Sequence, residues 1–236
     1  MGMIVRGERS GEGFDFETAL QTYKTTGCNT LAVGTLPLEV RTHLSRQHLG
    51  ASDERRFRLL ALTADAAATA AERLPTEMSE IDRNRTRVLL HEGTVRSSSA
   101  RSTGALVEDG SRIFSPSDSI LGFQQDILGA IDSLTRSAGD LKPAELRMCL
   151  DSLAPLLDAY GTAPTESLVE AVTARVRETE GMGHAYLPLP RTHETVRALE
   201  SNFEIVLSVE AADRGYVQTW DLREPDIQKS LALDIR

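Results

Sequence analysis

The chain has 236 residues, 40% of them hydrophobic, with 17 Gly and 9 Pro. A length of about 150 to 250 residues is that of one domain with its own core, and the composition excludes a disordered chain or a collagen-like repeat. With 35 acidic against 26 basic residues the net charge is −9, which argues against nucleic acid or an anionic membrane as a partner of the whole surface.

The apolar runs reach only about half of a bilayer crossing, and no apolar signal region comes after the stretch Met1 to Arg9, so the reading is a soluble, cytoplasmic protein without a membrane partner. Lys24, Lys142 and Lys229 are the only lysines, which leaves 23 of the 26 basic residues to arginine. Salt-adapted acidic surfaces show this skew, and codon usage rich in G and C gives the same one. Cys28 and Cys149 sit inside apolar runs and read as buried, reduced thiols rather than a disulfide framework.

In chain order, Phe16, Leu20 and Tyr23 recur at helical spacing, and Gly27 should stop that helix. Cys28 to Gly34 is a short apolar run bounded by glycines, a strand buried on both faces. Leu38 to Leu49 reads as helix, with Pro37 near its start and Gly50 as its stop. Arg58 to Leu62 is a second strand, and Thr63 is placed to cap an alanine-rich helix from about Ala64 to Leu74. A third strand is expected at Thr86 to Leu90. From Gly93 to Ser119 the chain is rich in Ser, Gly, Arg and Thr, which reads as a long loop or partly disordered insertion inside a single domain spanning 1–236.

Ile120, Phe123, Ile127, Ile131 and Leu134 then lay one apolar stripe along a helix that ends near Gly139. Leu146 to Asp151 is a strand ending in a carboxylate, with a short helix from Ser152 to Tyr160 after it. Thr165 is the expected cap of the next helix, which Gly181 ends. His184 to Leu189 reads as strand, Thr192 to Ser201 as helix and Phe203 to Val209 as strand. Gly215 to Leu222 and Leu231 to Ile235 should close the sheet as an antiparallel hairpin. Strands alternating with helices predict an α/β fold with a mainly parallel sheet between two helical layers.

Ligands of such sheets bind at the carboxyl ends of the strands, and two segments there carry candidate chemistry. The first is Gly34-Thr-Leu-Pro-Leu-Glu-Val-Arg-Thr42, where a phosphate-binding loop would lie. Such a loop needs glycines whose backbone N–H groups turn inward, a lysine for the β- and γ-phosphates and a Ser or Thr for magnesium. Only the first glycine is present. Arg41-Thr42 imitates Lys-Thr with a one-residue slip, which leaves Val40 where the second glycine belongs and puts the Glu39 carboxylate near phosphate. The bland alternative is an ordinary strand-to-helix turn. The second is Asp151, which suits a magnesium aspartate or a helix cap.

The segment Leu146-Arg-Met-Cys-Leu-Asp-Ser-Leu-Ala-Pro-Leu-Leu-Asp158 resembles the Walker B strand and following helix of the RecA/KaiC-like ATPase superfamily. Together with Gly27-Cys-Asn-Thr-Leu-Ala-Val-Gly34 and Gly181-Met-Gly-His-Ala-Tyr-Leu-Pro188, it is similar to haloarchaeal RecA/KaiC-like proteins of unassigned function, many of which lack the phosphate loop. The resemblance implies a RecA-like three-layer sandwich, with Gly34, Arg41, Thr42 and Asp151 as a vestigial nucleotide site. It also implies a catalytic glutamate, for which Glu92 is the nearest candidate. With its neighbour His91, Glu92 otherwise reads as an exposed loop pair.

No nucleophile elbow and no His-Glu-x-x-His pair are present. His184 and His193, nine residues apart on different elements, do not make a metal site. Tyr216 and Trp220 alternate on the final hairpin as packing residues. The reading is a non-catalytic regulatory or scaffolding protein in signal transduction, without cofactor, whose partner is another protein, an intact paralogue or a second copy in a homodimer. The alternatives are a signalling ATPase holding ATP and Mg²⁺ through Arg41, Thr42 and Asp151, and a regulator contacting nucleic acid through Arg96, Arg101 and Arg112.

Overall fold

The apolar runs become strands of one sheet because their residues are buried on both sides of it. A computed structural model describes residues 15–63, 69–91, 112–113, 119–213, 215–233 and 235. Its strands are β1 Cys28–Val33, β2 Phe57–Thr63, β3 Thr86–His91, β4 Arg112–Ile113, β5 Leu146–Asp151, β6 Met182–Leu187, β7 Ile205–Ala211, β8 Tyr216–Leu222 and β9 Ile227–Leu233. Its helices are α1 Phe16–Thr26, α2 Leu38–Leu49, α3 Glu80–Asn84, α4 Ile120–Ala138, α5 Ala154–Tyr160, α6 Thr162–Glu178 and α7 Glu194–Leu199.

The strands lie in the order β4-β3-β2-β5-β6-β1-β7-β8-β9. Pairing is parallel from β4 through β7, and β8 and β9 are added antiparallel. The α/β fold with a mainly parallel sheet, helices on both faces and a closing hairpin is thus observed. None of the described helices is long and apolar enough to cross a membrane.

The two faces of the sheet differ in chemistry. On one, Leu31, Val33, Leu59 and Met148 pack against α4 and α6, and Phe123, Ile127, Leu168 and Val176 from those helices are wholly buried. Each such side chain contributes about 1.5–3 kcal/mol by leaving water. The opposite face carries α2 over Ala32, Tyr186 and Leu207 and α1 over Cys28 and Ile205, yet it also buries Arg58, Arg147, Asp151 and His184. Strand alternation explains the split: in β5, Leu146, Met148 and Leu150 turn to the apolar layer, so Arg147, Cys149 and Asp151 turn to α2.

Two of those arginines are caps. Arg58, with no exposed surface, donates to the carbonyl oxygens of Leu49, Gly50 and Ala51. Arg147 donates to the carbonyls of Ala144 and His48. The last carbonyls of α2 therefore meet guanidinium groups instead of water, which also suits the negative end of the helix dipole.

Several expectations need correction. Thr63 ends β2, and its hydroxyl donates to the Ser152 carbonyl while accepting from the Ser152 N–H. Of the alanine-rich helix, 64–68 lie outside the described residues, and Ala71–Arg73 form a single 3-10 turn. Thr165 lies inside α6, where its hydroxyl donates to Gly161 O at 2.8 Å. The five-residue α3, closed by a capping box between Ser79 and Asp82, is too short for apolar periodicity to reveal. Most of the 93–119 loop, with Arg96 and Arg101, falls outside the described residues; within it, Arg112–Ile113 pairs with β3.

Candidate functional site

The carboxyl ends of β1 and β5 lie on either side of β6. The link 34–37 carries the chain from β1 into α2, and α2 runs back over β5 and β6. Gly34 adopts φ 124°, and a Cβ there would collide with the carbonyl oxygen of Val209 on β7, so this position requires glycine for both conformation and close approach. The link is fastened from beneath by Tyr186 on β6. Its phenol donates to Gly34 O at 2.7 Å and accepts from the Leu36 N–H at 3.2 Å. Burial pushes that phenol above its ordinary pKa.

One turn into α2, the Arg41 guanidinium lies over the Tyr186 ring, 4.6 Å from its centroid, and Nη2 is 3.0 Å from Oδ1 of Asp151. The other carboxylate oxygen meets Nη1 of Arg73 at 2.5 Å. Arg73 and Asp151 are 0% and 1% exposed, and Arg41 is 13% exposed. Arg73 is held by Ser45 Oγ at 2.8 Å and by Thr69 Oγ1 at 3.2 Å. A buried carboxylate thus faces one positive group on each oxygen, as a charge removed from water requires.

Of the four expected site residues, the structure joins Arg41 and Asp151 directly and places Gly34 at the start of the link beside them. Thr42 does not take part: it is buried and its hydroxyl donates to Leu38 O at 2.8 Å within the helix. Asp151 is not a helix cap either, since the Ala154 N–H is met by Ser152 Oγ at 3.2 Å. The Asp151–Ser152 peptide is cis. Glu92 lies outside the described residues. His91 is not an exposed loop residue; it ends β3, is 1% exposed, stacks on Phe123 and lies 3.1 Å from Tyr160 Oη.

Sequence reading missed Arg73, Ser45 and His48. Ser45 Oγ lies 3.1 Å from His184 Nε2 and 3.6 Å from Cys149 Sγ, and the ring of His48 sits 4.9 Å from that of His184. His193 starts α7 on the other face, where its Nδ1 accepts from the Thr195 N–H. Burial drives both His48 and His184 below the ordinary imidazole range, and the positive neighbours add to it at His184. Burial also raises the Cys149 thiol to about 11. Polar residues on alternate positions of an apolar strand, as at Arg147, Cys149 and Asp151, are the signal that marks this face as more than packing.

Chemically, the cluster is a closed set of charge pairs. A magnesium ion held through water requires a carboxylate oxygen turned toward it, and both oxygens of Asp151 face arginine. A phosphate loop requires free backbone N–H groups, and that of Leu36 is taken by Tyr186. Among the described residues no group of three or more His, Cys, Asp or Glu side chains is placed to hold a metal ion.

A family model matches residues 27–209, from the glycine before β1 to the middle of β7. The chain belongs to this family, a family of unknown function (DUF7504). The matched span contains every member of the Arg41, Arg73, Asp151 and Tyr186 cluster. Among solved structures, the chain is similar to the KaiC-like protein PH0186 from the hyperthermophilic archaeon Pyrococcus horikoshii OT3, with a TM-score of 0.53 and 12% sequence identity over 89% of this chain and 87% of that one. At that identity the likeness shows a shared RecA/KaiC-like fold. No curated protein matches the chain.

Proposed function

We propose that this member of the family is a non-catalytic RecA/KaiC-like protein that works through contacts with other proteins, in a regulatory or scaffolding role in signal transduction. The observation that carries the reading is the double ion pair at Asp151. The residue that the resemblance assigns to magnesium is neutralised from within by Arg41 and Arg73. The Tyr186 bridge to Gly34 and Leu36 supports it, because the strand-to-helix link is tied to β6 rather than left open for phosphate. The partner is an intact ATP-binding paralogue, another protein, or a second copy of the chain.

One observation favours the alternative of an unconventional nucleotide site: Arg41, alone of the three charged groups, reaches solvent at 13% exposure. It could exchange Asp151 for a phosphate, since a guanidinium serves either anion.

The two readings separate in sedimentation velocity and in a phosphate-release assay, each with and without ATP and Mg²⁺. A scaffold sediments identically in both conditions and releases no phosphate above a buffer control. Assembly that forms only with ATP, or turnover lost in Asp151→Asn, overturns the proposal.

A further inference from the structure

Besides the ion pairs, the α2 face holds a stack of three rings that neither catalysis nor scaffolding uses. His48 lies in the last turn of α2, His184 in β6 and Trp220 in β8. The His48 ring is stacked on the Trp220 indole with centroids 5.9 Å apart and planes 17° apart, and its other neighbour, His184, lies at 4.9 Å. Nδ1 of His48 is 2.9 Å from the carbonyl oxygen of Leu44. A carbonyl only accepts, so Nδ1 carries the proton and Nε2 of the neutral ring is bare. That Nε2 is out of contact with water and has no partner among the described residues.

The neighbours of this pair are positive or neutral on nearly every side. From β5 come Arg147, bonded to the His48 carbonyl, and the Cys149 thiol. From the Ala71–Arg73 turn comes Arg73, which shares Ser45 Oγ with His184. Arg41 and the Tyr186 phenol lie next along α2 and β6 and line the same small void as both histidines. On β9, Lys229 is in register with Trp220 and lies 3.7 Å from the exposed Glu17 carboxylate of α1, and the Phe16 ring of α1 is edge-on to the indole. The acidic group that faces the pair is Asp151, whose two oxygens already belong to Arg41 and Arg73. A proton on either imidazole would add one more cation to these and, at His48, a buried N–H donor with nothing to receive it.

We propose that the His48–His184–Trp220 stack is an acid-operated latch, which clamps the C-terminal half of α2 to β6 and β8 while both imidazoles are neutral and releases it when the pair takes up a proton. Release turns the His48 and Trp220 rings to water, where an imidazole titrates near its ordinary value of about 6.5. The apolar layer on the other face, built by α4 and α6, contains neither ring and stays folded. The latch is independent of whether the Asp151 site takes nucleotide.

Trp220 is the only tryptophan in the chain, so its emission reports the stack directly. The full chain is titrated from about pH 8 to pH 4 while Trp220 emission and far-ultraviolet circular dichroism are followed together. The latch predicts a red shift of the emission at a pH below about 6.5, while most of the dichroism is retained. His48→Gln and His184→Gln each remove that step, and His43→Gln, on the same helix but bonded to Gln47, leaves it. Should the buried-site variants fail to fold, imidazole NMR shifts of the wild-type chain decide the matter. The proposal requires the His48 and His184 rings to take up their proton together with the movement of the indole. Emission that moves only as the dichroism collapses overturns the proposal, as does protonation of His48 and His184 with the indole unmoved.

Discussion

Arg73 and Asp151 meet with Nη1 2.5 Å from Oδ2, in a place where neither side chain exposes more than 1% of its surface. A pair so deep is worth little against an apolar substitute, but breaking it from one side strands a charge. Asp151→Ala leaves two guanidinium groups unbalanced and should destabilise the fold by about 3–5 kcal/mol. The triple replacement Arg41→Met, Arg73→Met and Asp151→Leu removes the stranded charges as well and should lose much less. Urea unfolding of both variants checks this. Equal losses would show that the carboxylate has no special tie to the two arginines.

The Tyr186 phenol makes two of the hydrogen bonds that hold the link between β1 and α2, beside the one from the Gly34 N–H to Leu189 O. Tyr186→Phe deprives Gly34 O of a donor and the Leu36 N–H of its acceptor, a loss of about 1–3 kcal/mol. Amide exchange at Leu36 should accelerate more than exchange in the centre of β6. Uniform acceleration across the sheet would instead mean that the phenol acts on general packing.

Burial raises the Cys28 thiol to about 12 and the Cys149 thiol to about 11. At pH 8 no more than about a thousandth of either is thiolate, which is the reactive form. A thiol reagent at that pH should label neither cysteine in the native chain and both after denaturation. Rapid native labelling of Cys149 would show that the α2 face opens to solvent even with its histidines neutral.

The lowered pKa values of His48 and His184 also fix the sign of the acid response of the whole fold. Above about pH 6.5 the imidazoles are neutral both folded and unfolded and contribute no pH dependence. As the pH falls below that value the unfolded chain binds protons that the folded chain refuses, so stability drops until the depressed folded values are reached. Melting temperatures taken across this window should decline in the wild type and decline less in His48→Gln. Parallel slopes would assign the acid response to other groups.

The inner parallel strands were legible in the sequence because each is an apolar run closed by turn residues, and Leu146 to Asp151 needed no adjustment at either end; β4 fell inside the expected loop, and β9 starts at Ile227, four residues before the expected Leu231. The long helices α4 and α2 were legible for the matching reason of period and stop signals. Arg73 was not, because an alanine-rich stretch reads as helix whether or not its one arginine is drawn inward by a carboxylate 78 positions later in the chain. Thr165 was misread as a cap since a hydroxyl near a boundary looks alike whether it caps the helix or bonds back to Gly161 from inside it. The His48–His184 pair joins the end of α2 to β6, elements far apart in the chain, and no local spacing announces it.

The most direct test of a sealed, non-catalytic site is a calorimetric titration of the purified chain with ATP and Mg²⁺, in low and in molar salt, beside Arg41→Ala. The internal pairing of Asp151 predicts no binding heat and no rise in melting temperature up to about millimolar nucleotide. Saturable binding near about micromolar, weakened by Arg41→Ala, would show instead that Arg41 leaves Asp151 for phosphate and that the site works as a nucleotide receptor.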